Sequence, residues 1–382
     1  MKKNNILFIH PIKEFSGSLK SLEQYLKLLK KEYNFTFLVP SGIASNRLKK
    51  YGNVVNVPGL SKFDNSQIGY YRGLRWFLLF REFIYLFPTF MGLFYLKKTK
   101  KIDIIHFNEI TLLPTIYICK LFFNVPYILH CRTLFKKNNY IGKMIGQYLK
   151  RNIFQIIAID TDVKNSLPNF LNVKIIRNIY IEKAKIKNKS KNKILNIGYL
   201  GSFLKYKGIE DLIIVVNKLT LKGYNVKLHL AGNFIKSNFI FELFGLTNNI
   251  DKRLLNNGNF VIYGHLNNLD QFYNNIDILC FPSYLNSLGR QVIEASYYKI
   301  PSIVCLKNDK SDCFVNKKTG LSYKIPGSNN KLENILKYFY LNRHQISKMG
   351  KYAYKIVSKN FNVINNLKLL KSIYKSSINV IN

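Results

Sequence analysis

The stretch that decides the fold is residues 281–295, which read FPSYLNSLGRQVIEA. An apolar run ends at Pro282, a short polar loop follows, and a helical pattern starts near Gly289. Glycine allows the backbone to approach a ligand closely, and the first N–H groups of a helix have no partner within the helix. This order predicts a phosphate-binding turn after a buried strand.

Glu294 lies one turn into the predicted helix. Its carboxylate is placed to accept hydrogen bonds from the two neighbouring hydroxyl groups of a ribose. Taken alone, the segment also fits an ordinary strand-to-helix turn with a surface glutamate, so this alternative stays open at the level of the residues.

Short apolar runs alternate with longer amphipathic stretches along almost the whole chain. Strands separated by helices are typical of parallel sheets in α/β domains. Two series of candidate strands therefore predict two Rossmann-like domains, with ligands in a cleft beyond the carboxyl ends of the strands. The candidate strands are 6–11, 35–40, 102–107, 126–131, 156–160 and 173–178, then 195–201, 226–232, 260–264, 276–282 and 301–305.

The domain boundary is visible as the polar segment 183–193, KAKIKNKSKNK, which lacks periodicity and predicts a solvated linker. It separates an N-terminal domain, 1–182, from a C-terminal domain, 194–359. Residues 360–382 have a helical pattern with no strand after it, so they are able to pack back on the first domain. A chain of 382 residues is long enough for two such cores.

The charge is strongly unbalanced, because 59 Lys and Arg face 20 Asp and Glu for a net charge of +39. Such a field favours anionic partners: nucleic acid, an acidic membrane or phosphorylated substrates. A lysine-rich solvated surface is the alternative. The five scattered cysteines have no CxxC spacing, which indicates neither a disulfide framework nor a zinc site and fits a reducing cytoplasm.

No signal peptide is expected, since the N-terminus reaches an apolar strand pattern at once. The longest uncharged apolar run, 83–96, has 14 residues and is too short to span a bilayer.

The segment 281–295 resembles the donor-site motif of family 4 retaining glycosyltransferases of the GT-B fold, P-S-x-x-E-x-x-G-x-x-x-x-E-A. Asn286 stands where the family has its first glutamate. The resemblance implies that Glu294 holds the nucleotide ribose and that the loop residues Leu288, Gly289 and Arg290 line the donor site. The matching positions are Pro282, Ser283, Gly289, Glu294 and Ala295.

Residues 198–208, GYLGSFLKYKG, resemble the family's G-R-x-x-x-x-K-G segment, in which Arg and Lys neutralise the diphosphate. Lys207 matches the lysine, and Ser202 stands at the arginine position. Lys205 and Arg290 are the candidates for the missing charge, and a solvent-exposed loop lysine is the alternative for Lys205.

Other glycines and histidines agree with the family in order and spacing. Gly232 ends a strand that resembles those framing the nucleobase, and Gly17 lies where the family keeps a glycine-rich loop facing the donor phosphates. His130 resembles the strand-end histidine near the transferred sugar, with His106 as a second candidate. Plain turn glycines and core histidines are the alternatives.

Residues 68–101 mix arginines and a C-terminal lysine cluster with aromatic residues such as Trp76 and Phe80. This mixture suits the headgroup region of an anionic bilayer, and a core-facing helix is the alternative. We find no helix-turn-helix, RNP-type or zinc-finger pattern, so no nucleic-acid partner is expected. The arginines of this segment are Arg72, Arg75 and Arg81.

Together these features predict a GT-B glycosyltransferase that moves a sugar from a nucleotide-sugar, UDP-linked rather than GDP-linked, to a lipid-linked glycan acceptor in surface polysaccharide synthesis. The resemblance implies retention and no metal, with His130, Lys207 and Asn286 as catalytic residues. The predicted location is cytoplasmic, peripheral on the inner face of the membrane. The alternatives are a GT-B nucleotide-sugar epimerase, a non-catalytic GT-B partner and a basic nucleic-acid-binding protein.

Overall fold

The chain folds into two α/β units, which we describe separately. Unit 1 comprises Met1–Ile181 and Phe361–Asn382, and unit 2 comprises Glu182–Asn360. The predicted linker lies almost entirely outside the described residues. The computed structural model describes residues 3–181, 184, 186, 193–234, 249–255, 259–266 and 268–379.

Seven strands of unit 1 form one parallel sheet. They are β1 (Asn4–Ile9), β2 (Tyr33–Pro40), β3 (Asn53–Val57), β4 (Ile104–Phe107), β5 (Tyr127–Cys131), β6 (Gln155–Ala158) and β7 (Val173–Ile175). Their order across the sheet is β3-β2-β1-β4-β5-β6-β7. The central strands are apolar on both faces because helices cover both sides: Leu7 and Ile9 face one core, and Ile6 and Phe8 face the other.

Six strands of unit 2 form a second parallel sheet. They are β8 (Leu195–Leu200), β9 (Val226–Ala231), β10 (Phe260–Gly264), β11 (Ile278–Phe281), β12 (Ser302–Cys305) and β13 (Gly320–Tyr323). Their order is β10-β9-β8-β11-β12-β13. The predicted fold class, two Rossmann-like parallel sheets, is confirmed.

Helices connect the strands of each unit. Those of unit 1 are α1 (Gly17–Leu29), α2 (Ile43–Leu48), α3 (Leu78–Thr99), α4 (Leu113–Phe122), α5 (Tyr140–Asn152), α6 (Thr161–Ser166) and α12 (Val363–Ile378). Those of unit 2 are α7 (Ile209–Leu221), α8 (Asp270–Asn274), α9 (Arg290–Tyr297), α10 (Asn329–Leu341) and α11 (Arg343–Asn360). The C-terminal helix α12 buries Leu370, Ile373 and Tyr374 in the same core as Ile6 and Phe8.

Each sheet contains the same type of hydrogen bond between two of its own central strands. In unit 1 the backbone N–H of Asn5 donates to the Asp103 carboxylate at 2.8 Å, which links β1 to the start of β4. In unit 2 the N–H of Asn196 donates to Asp277 at 2.9 Å, which links β8 to the start of β11. An aspartate directly before the strand therefore makes the equivalent contact in each unit: Asp103 before β4 and Asp277 before β11.

All eleven candidate strands occur, but the sequence reading missed β3 and β13. Both lie at an edge of their sheet. In β3 only Val57 is buried, and in β13 the two middle residues are half-exposed. Strands with so little buried surface lack the apolar run that marks a central strand.

Candidate functional site

The turn between β11 and α9 has the predicted form. Strand β11 ends at Phe281, and Gly289 is the N-cap of α9 with extended backbone angles of φ −84° and ψ 167°. A Cβ atom at Gly289 would lie 3.0 Å from a ring carbon of Phe281. The nearest atom to such a Cβ is the Gln291 side-chain oxygen at 2.2 Å, so a larger residue would require the Gln291 and Phe281 side chains to shift.

The two motif segments of unit 2 lie side by side. Gly208 has φ +71°, and a Cβ there would lie 2.0 Å from the Pro282 carbonyl oxygen. The N–H of Tyr284 donates to the Tyr206 carbonyl at 3.0 Å. The Gln291 side chain donates to the Leu200 carbonyl at 3.0 Å. Loop 201–208 and the loop before α9 thus form one continuous wall at the carboxyl end of the sheet.

The neighbouring strand ends are made of glycine backbone. Gly232 has φ +137°, and a Cβ at this position would lie 1.8 Å from the Gly201 carbonyl oxygen. The Gly232 N–H donates to the Gly264 carbonyl at 2.8 Å. Strands β8, β9 and β10 are therefore each followed by or end at a glycine, namely Gly201, Gly232 and Gly264. These glycines have no side chain that could cover the backbone at the strand ends.

Lys207 is the cation best placed in this wall. It is half-buried, with its Nζ 5.2 Å from the Tyr206 ring centroid, and it makes no salt bridge with any described residue. Burial lowers the pKa of Lys207 below its ordinary value. A partly desolvated ammonium without a carboxylate partner favours binding of an anion. Lys205 is exposed, and Ser202 is half-buried with its carbonyl bonded to the Tyr199 hydroxyl at 2.8 Å.

Glu294 and Arg290 form an ion pair inside α9. Arg290 Nε donates to Glu294 at 2.7 Å, and the Tyr273 hydroxyl donates to the other carboxylate oxygen at 3.1 Å. Only 3% of Glu294 is exposed, so the alternative of a surface glutamate is wrong. The charge of Arg290 is balanced by Glu294, which makes Lys207 the stronger candidate for a diphosphate.

Asn286 and Leu288 are half-buried in the loop before α9. The Asn286 side-chain oxygen accepts a hydrogen bond from the Lys307 N–H at 2.9 Å. This bond ties the loop to the segment after β12 and turns one end of the amide toward the protein. The Asn286 nitrogen is the end left to donate to a ligand.

In unit 1, Gly17 begins α1 and its surroundings are open. Ser16 caps the helix through a hydrogen bond from the Leu19 N–H at 3.3 Å. A Cβ at Gly17 would meet no described atom within 4 Å, and its φ is not in the left-handed region. Internal packing therefore gives no reason for glycine at this position.

His130 is a buried, neutral histidine near the end of β5. Its Nδ1 lies 3.5 Å from an Arg132 guanidinium nitrogen, and its Nε2 has no partner among the described residues. Burial, followed by the charges of Arg132 and His106, holds the pKa of His130 well below its ordinary value. Because the Arg132 guanidinium can only donate, the neutral ring carries its proton at Nε2, which is buried.

His106 is held differently, since its Nδ1 bonds to the Tyr374 hydroxyl of α12 at 2.8 Å and its ring stacks on Phe8. Burial lowers its pKa to about 3. These contacts favour the alternative of a core histidine for His106.

Sequence reading missed a polar network that joins the carboxyl ends of β1, β4 and β5. Asn108 donates to His10 Nδ1 at 2.8 Å, and Arg132 donates to the Asn108 oxygen at 2.9 Å. Arg132 also donates to Asn178 at 3.1 Å, and its N–H reaches Glu109 at 3.4 Å. Arg132 ends the segment 125–132 that contains His130, whereas His10, Asn108 and Asn178 belong to no motif. The rule that ligands bind beyond strand ends selects all four.

The segment 68–101 contains the predicted helix, α3. The prediction that its three arginines face a membrane as free charges is wrong for two of them. Arg75 is buried and donates to the Ile68 carbonyl at 2.6 Å, and Arg81 pairs with Glu82. Of the three arginines, Arg72 is the exposed one, and the other exposed cations of the segment lie at its C-terminal end: Lys97, Lys98 and Lys101. The aromatic side is exposed: Phe80 is 68% and Phe87 is 71% accessible.

Among the described residues, the stretch Gly73–Thr99 is long and apolar enough to cross a membrane by length and composition. Our expectation that this region is too short was wrong because it counted only the uncharged core of a longer helix. Only 22% of its most apolar window is buried inside the protein. A single such helix is weak grounds for a membrane span.

Among the same described residues, no group of three or more His, Cys, Asp or Glu side chains could hold a metal ion.

Comparison with known proteins agrees with this geometry. The family described as Glycosyl transferases group 1 matches residues 180–356. The capsular polysaccharide biosynthesis glycosyltransferase CapM of Staphylococcus aureus is 35% identical over 133 residues, which is 34% of this chain and 33% of that protein. The match thus spans about a third of this curated relative's length.

Solved structures match over nearly the whole chain. A glycosyltransferase from Rickettsia africae ESF-5 has a TM-score of 0.74 at 17% identity, covering 99% of both chains. Anabaena Alr3699/HepE in complex with UDP-glucose has a TM-score of 0.73 at 16% identity, covering 97% of this chain and 99% of that one.

The two parallel sheets and these neighbours define the GT-B fold. The glycosyl transferases group 1 family matches the chain over residues 180–356, which include most of unit 2.

Proposed function

We propose that the chain is a glycosyltransferase that takes a sugar from a nucleotide-sugar, UDP-linked rather than GDP-linked, and adds it to a glycan. The observation that carries the proposal is Lys207, a half-buried cation with no salt bridge to the described residues. It directly precedes Gly208, which contacts the loop before α9. A nucleotide diphosphate supplies the charge that this wall lacks.

The relatives support the donor and the pathway. HepE was solved with UDP and with UDP-glucose, which supports a UDP-sugar here. CapM is named for capsular polysaccharide biosynthesis, which supports a surface polysaccharide as the product.

In the proposed reaction the bond between the sugar C1 and the diphosphate oxygen breaks, and a bond from C1 to the acceptor oxygen forms on the same face. The acceptor hydroxyl proton passes to the departing phosphate. Lys207 and the first N–H groups of α9 stabilise the negative charge that develops on the diphosphate. In unit 2, Glu294 binds the ribose. In unit 1, we propose that the Nε2–H of His130, which has no partner among the described residues, binds a sugar hydroxyl.

We further propose that the acceptor is lipid-linked and that the enzyme works on the cytoplasmic face of the membrane. Support comes from the net charge of +39 and from the exposed aromatic side of α3. Each Lys or Arg near an anionic surface contributes about 1 kcal/mol, and salt screens that attraction.

The donor test is a thermal-shift screen against UDP-sugars and GDP-sugars, followed by product analysis with the sugar that binds. We expect stabilisation by UDP-sugars and a new glycosidic product. A changed sugar without transfer would indicate an epimerase, and binding of neither nucleotide would refute the proposed donor site.

The membrane test uses vesicles with and without anionic lipid over a range of salt concentrations. Changing Arg72, Lys97 and Lys98 to Gln together should weaken binding to anionic vesicles, whereas UDP affinity should not change. Equal binding of the wild type to neutral and anionic vesicles would contradict the electrostatic part of the proposal.

A further inference from the structure

We propose that a groove beside α3 binds the hydrocarbon chain of a phosphate-bearing lipid acceptor and that Lys62 binds its phosphate. The inference rests on the proposed function in one respect, namely that the acceptor is lipid-linked. It adds a defined lipid site within unit 1 and a residue that no sequence motif selected.

The groove lies between α3 and the edge strand β3, with a cavity volume of about 590 Å³. Its exposed helix residues include Ile84 at 69% and Phe87 at 71% accessibility. Apolar walls of this size and exposure mark a ligand or membrane contact rather than ordinary surface. The main lining side chains are Val55, Val57, Ile84, Phe87, Met91 and Tyr95.

The shape of the groove is fixed by the backbone of α3. A Cβ at Gly92 would lie 2.9 Å from side-chain carbons of both Leu38 and Val57, so the helix rests directly on the sheet at this level. Pro88 lies inside the helix and removes one backbone donor. From Ile84 to Tyr95 the helix extends about 16 Å at 1.5 Å per residue, which is long enough to line an extended chain.

Lys62 lies where α3 meets the carboxyl end of β1. Its backbone N–H donates to Glu82 of α3 at 2.8 Å, and its Nζ lies 3.5 Å from the carbonyl oxygen of Pro11, just past β1. A lipid held along α3 would therefore have its head group near the strand ends of unit 1, where His10 and His130 lie. This is the end of the sheet at which an acceptor hydroxyl is needed.

The charge at Lys62 suits a phosphate. The carboxylates that act on Lys62 are Glu82, Asp64 and Glu14, and Glu82 already forms a salt bridge with Arg81 at 2.5 Å. Lys62 forms no salt bridge with the residues that the structure describes. Burial lowers the pKa of Lys62, so an anion that binds there regains part of the lost solvation of the ammonium.

Trp76 provides a reporter for this site. It is the single tryptophan of the chain. Its ring stacks on Tyr71 at 5.4 Å, and Tyr71 contacts Phe63, the neighbour of Lys62, at 4.9 Å. Binding next to Lys62 should therefore change the Trp76 emission.

The experiment titrates the full chain with tetradecyl phosphate and, separately, with neutral tetradecyl maltoside, both below their micelle concentrations. Lys62→Gln should weaken tetradecyl phosphate binding about 10-fold and leave the maltoside unchanged, since a charged hydrogen bond is lost. Lys62→Arg should retain the phosphate preference. The double change Phe87→Ser with Met91→Ser should weaken both ligands about 10-fold, through the loss of buried apolar contact.

Matched controls are Lys174→Gln, an exposed lysine of β7, and Ile364→Ser, which is 73% exposed on α12. Both should bind like the wild type, and inorganic phosphate should not compete. Tetradecyl phosphate binding by Lys62→Gln within twofold of the wild type would overturn the phosphate assignment, and weakening by the controls would overturn the groove. UDP binding is measured on every variant: its absence in the wild type would refute the proposed function while leaving the lipid site intact.

Discussion

The two sheets have the same arrangement of central strands, but different groups lie at their carboxyl ends. The aspartate contact between central strands is shared, through Asp103 in unit 1 and Asp277 in unit 2. Beyond the strands, unit 2 presents glycine backbone at Gly201 and Gly232, whereas unit 1 presents interlinked side chains around Arg132. A backbone site can approach a nucleotide closely, and a side-chain site can recognise a varied acceptor.

The largest expected difference between the units is their response to acid. Burial lowers the pKa of His10 and of His106 to about 3, and that of His130 is also well below its ordinary value. In unit 2, among the described residues, His229 is the buried histidine, with a pKa lowered by burial to about 4. Unit 1 therefore carries more neutral histidines that acid must charge.

The direction in which stability changes with pH follows from proton binding in the folded and unfolded states. In the unfolded chain these histidines bind protons below about pH 6.5, whereas in the folded chain they do not, so stability falls as the pH drops from 6.5 toward 3. At pH 5, His10 and His106, whose folded-state pKa is about 3, each contribute a loss of about 2 kcal/mol. Hydrogen exchange at pH 7 and pH 5 should show unit 1 losing protection first, together with a change in Trp76 emission. Earlier loss in unit 2 would contradict this expectation.

Two alanine substitutions compare the glycines of the units. Gly232→Ala places a Cβ 1.8 Å from the Gly201 oxygen at φ +137°, so we expect a loss of about 3 kcal/mol in the free energy of unfolding. Gly17→Ala meets open space and should change stability by less than about 0.5 kcal/mol.

Denaturant titration measures both changes. If Gly17→Ala keeps its stability but binds UDP-sugar more weakly, the glycine serves the ligand. Equal stability of the two variants would show that the backbone of Gly232 does not lie against the Gly201 carbonyl oxygen.

Lys207→Gln should reduce turnover about 100-fold, as expected for the loss of one preorganised donor at a developing charge. Because burial lowers the Lys207 pKa, UDP affinity should also fall at a lower alkaline pH than for an exposed lysine. Lys207→Arg should move that loss of affinity to higher pH, since arginine stays protonated.

Two further variants test the same assignment. Lys205→Gln is the matched control, and Ser202→Arg in the Lys207→Gln background should restore part of the activity. Unchanged kcat/KM in Lys207→Gln would refute the role of Lys207.

The same contrast explains what could be predicted from the sequence. Buried central strands and the unit 2 motif were readable because parallel strands need apolar runs and the turn at Gly208 demands glycine. Strands β3 and β13 were missed because edge strands bury little. The network around Arg132 was missed because contacts such as Asn108 to His10 join residues 98 positions apart, and no local pattern marks them.

Glu294→Gln should weaken UDP binding about 10-fold, a smaller effect, by removing a charged acceptor for the ribose hydroxyls. Glutamine keeps the volume of the buried side chain and an acceptor for Arg290, so it disturbs the fold less than alanine does. Isothermal titration measures the affinity, with thermal unfolding as the control. Unchanged UDP and GDP affinity in a folded variant would remove Glu294 from the site and leave it as a structural partner of Arg290 and Tyr273.

The smallest change in kcat/KM is expected at Asn286. Variants of this residue test whether unit 2 also uses a side chain to recognise the sugar. Asn286→Asp keeps an oxygen for the Lys307 N–H but removes the amide donor, so stability should change little. If the amide nitrogen donates to a sugar hydroxyl, kcat/KM should fall about fivefold, which corresponds to one hydrogen bond of about 1 kcal/mol. Asn286→Ala loses both bonds and should lower stability as well. A fall in stability for Asn286→Asp without a fall in kcat/KM would assign Asn286 to the loop structure alone, and unit 2 would then bind its sugar without this residue.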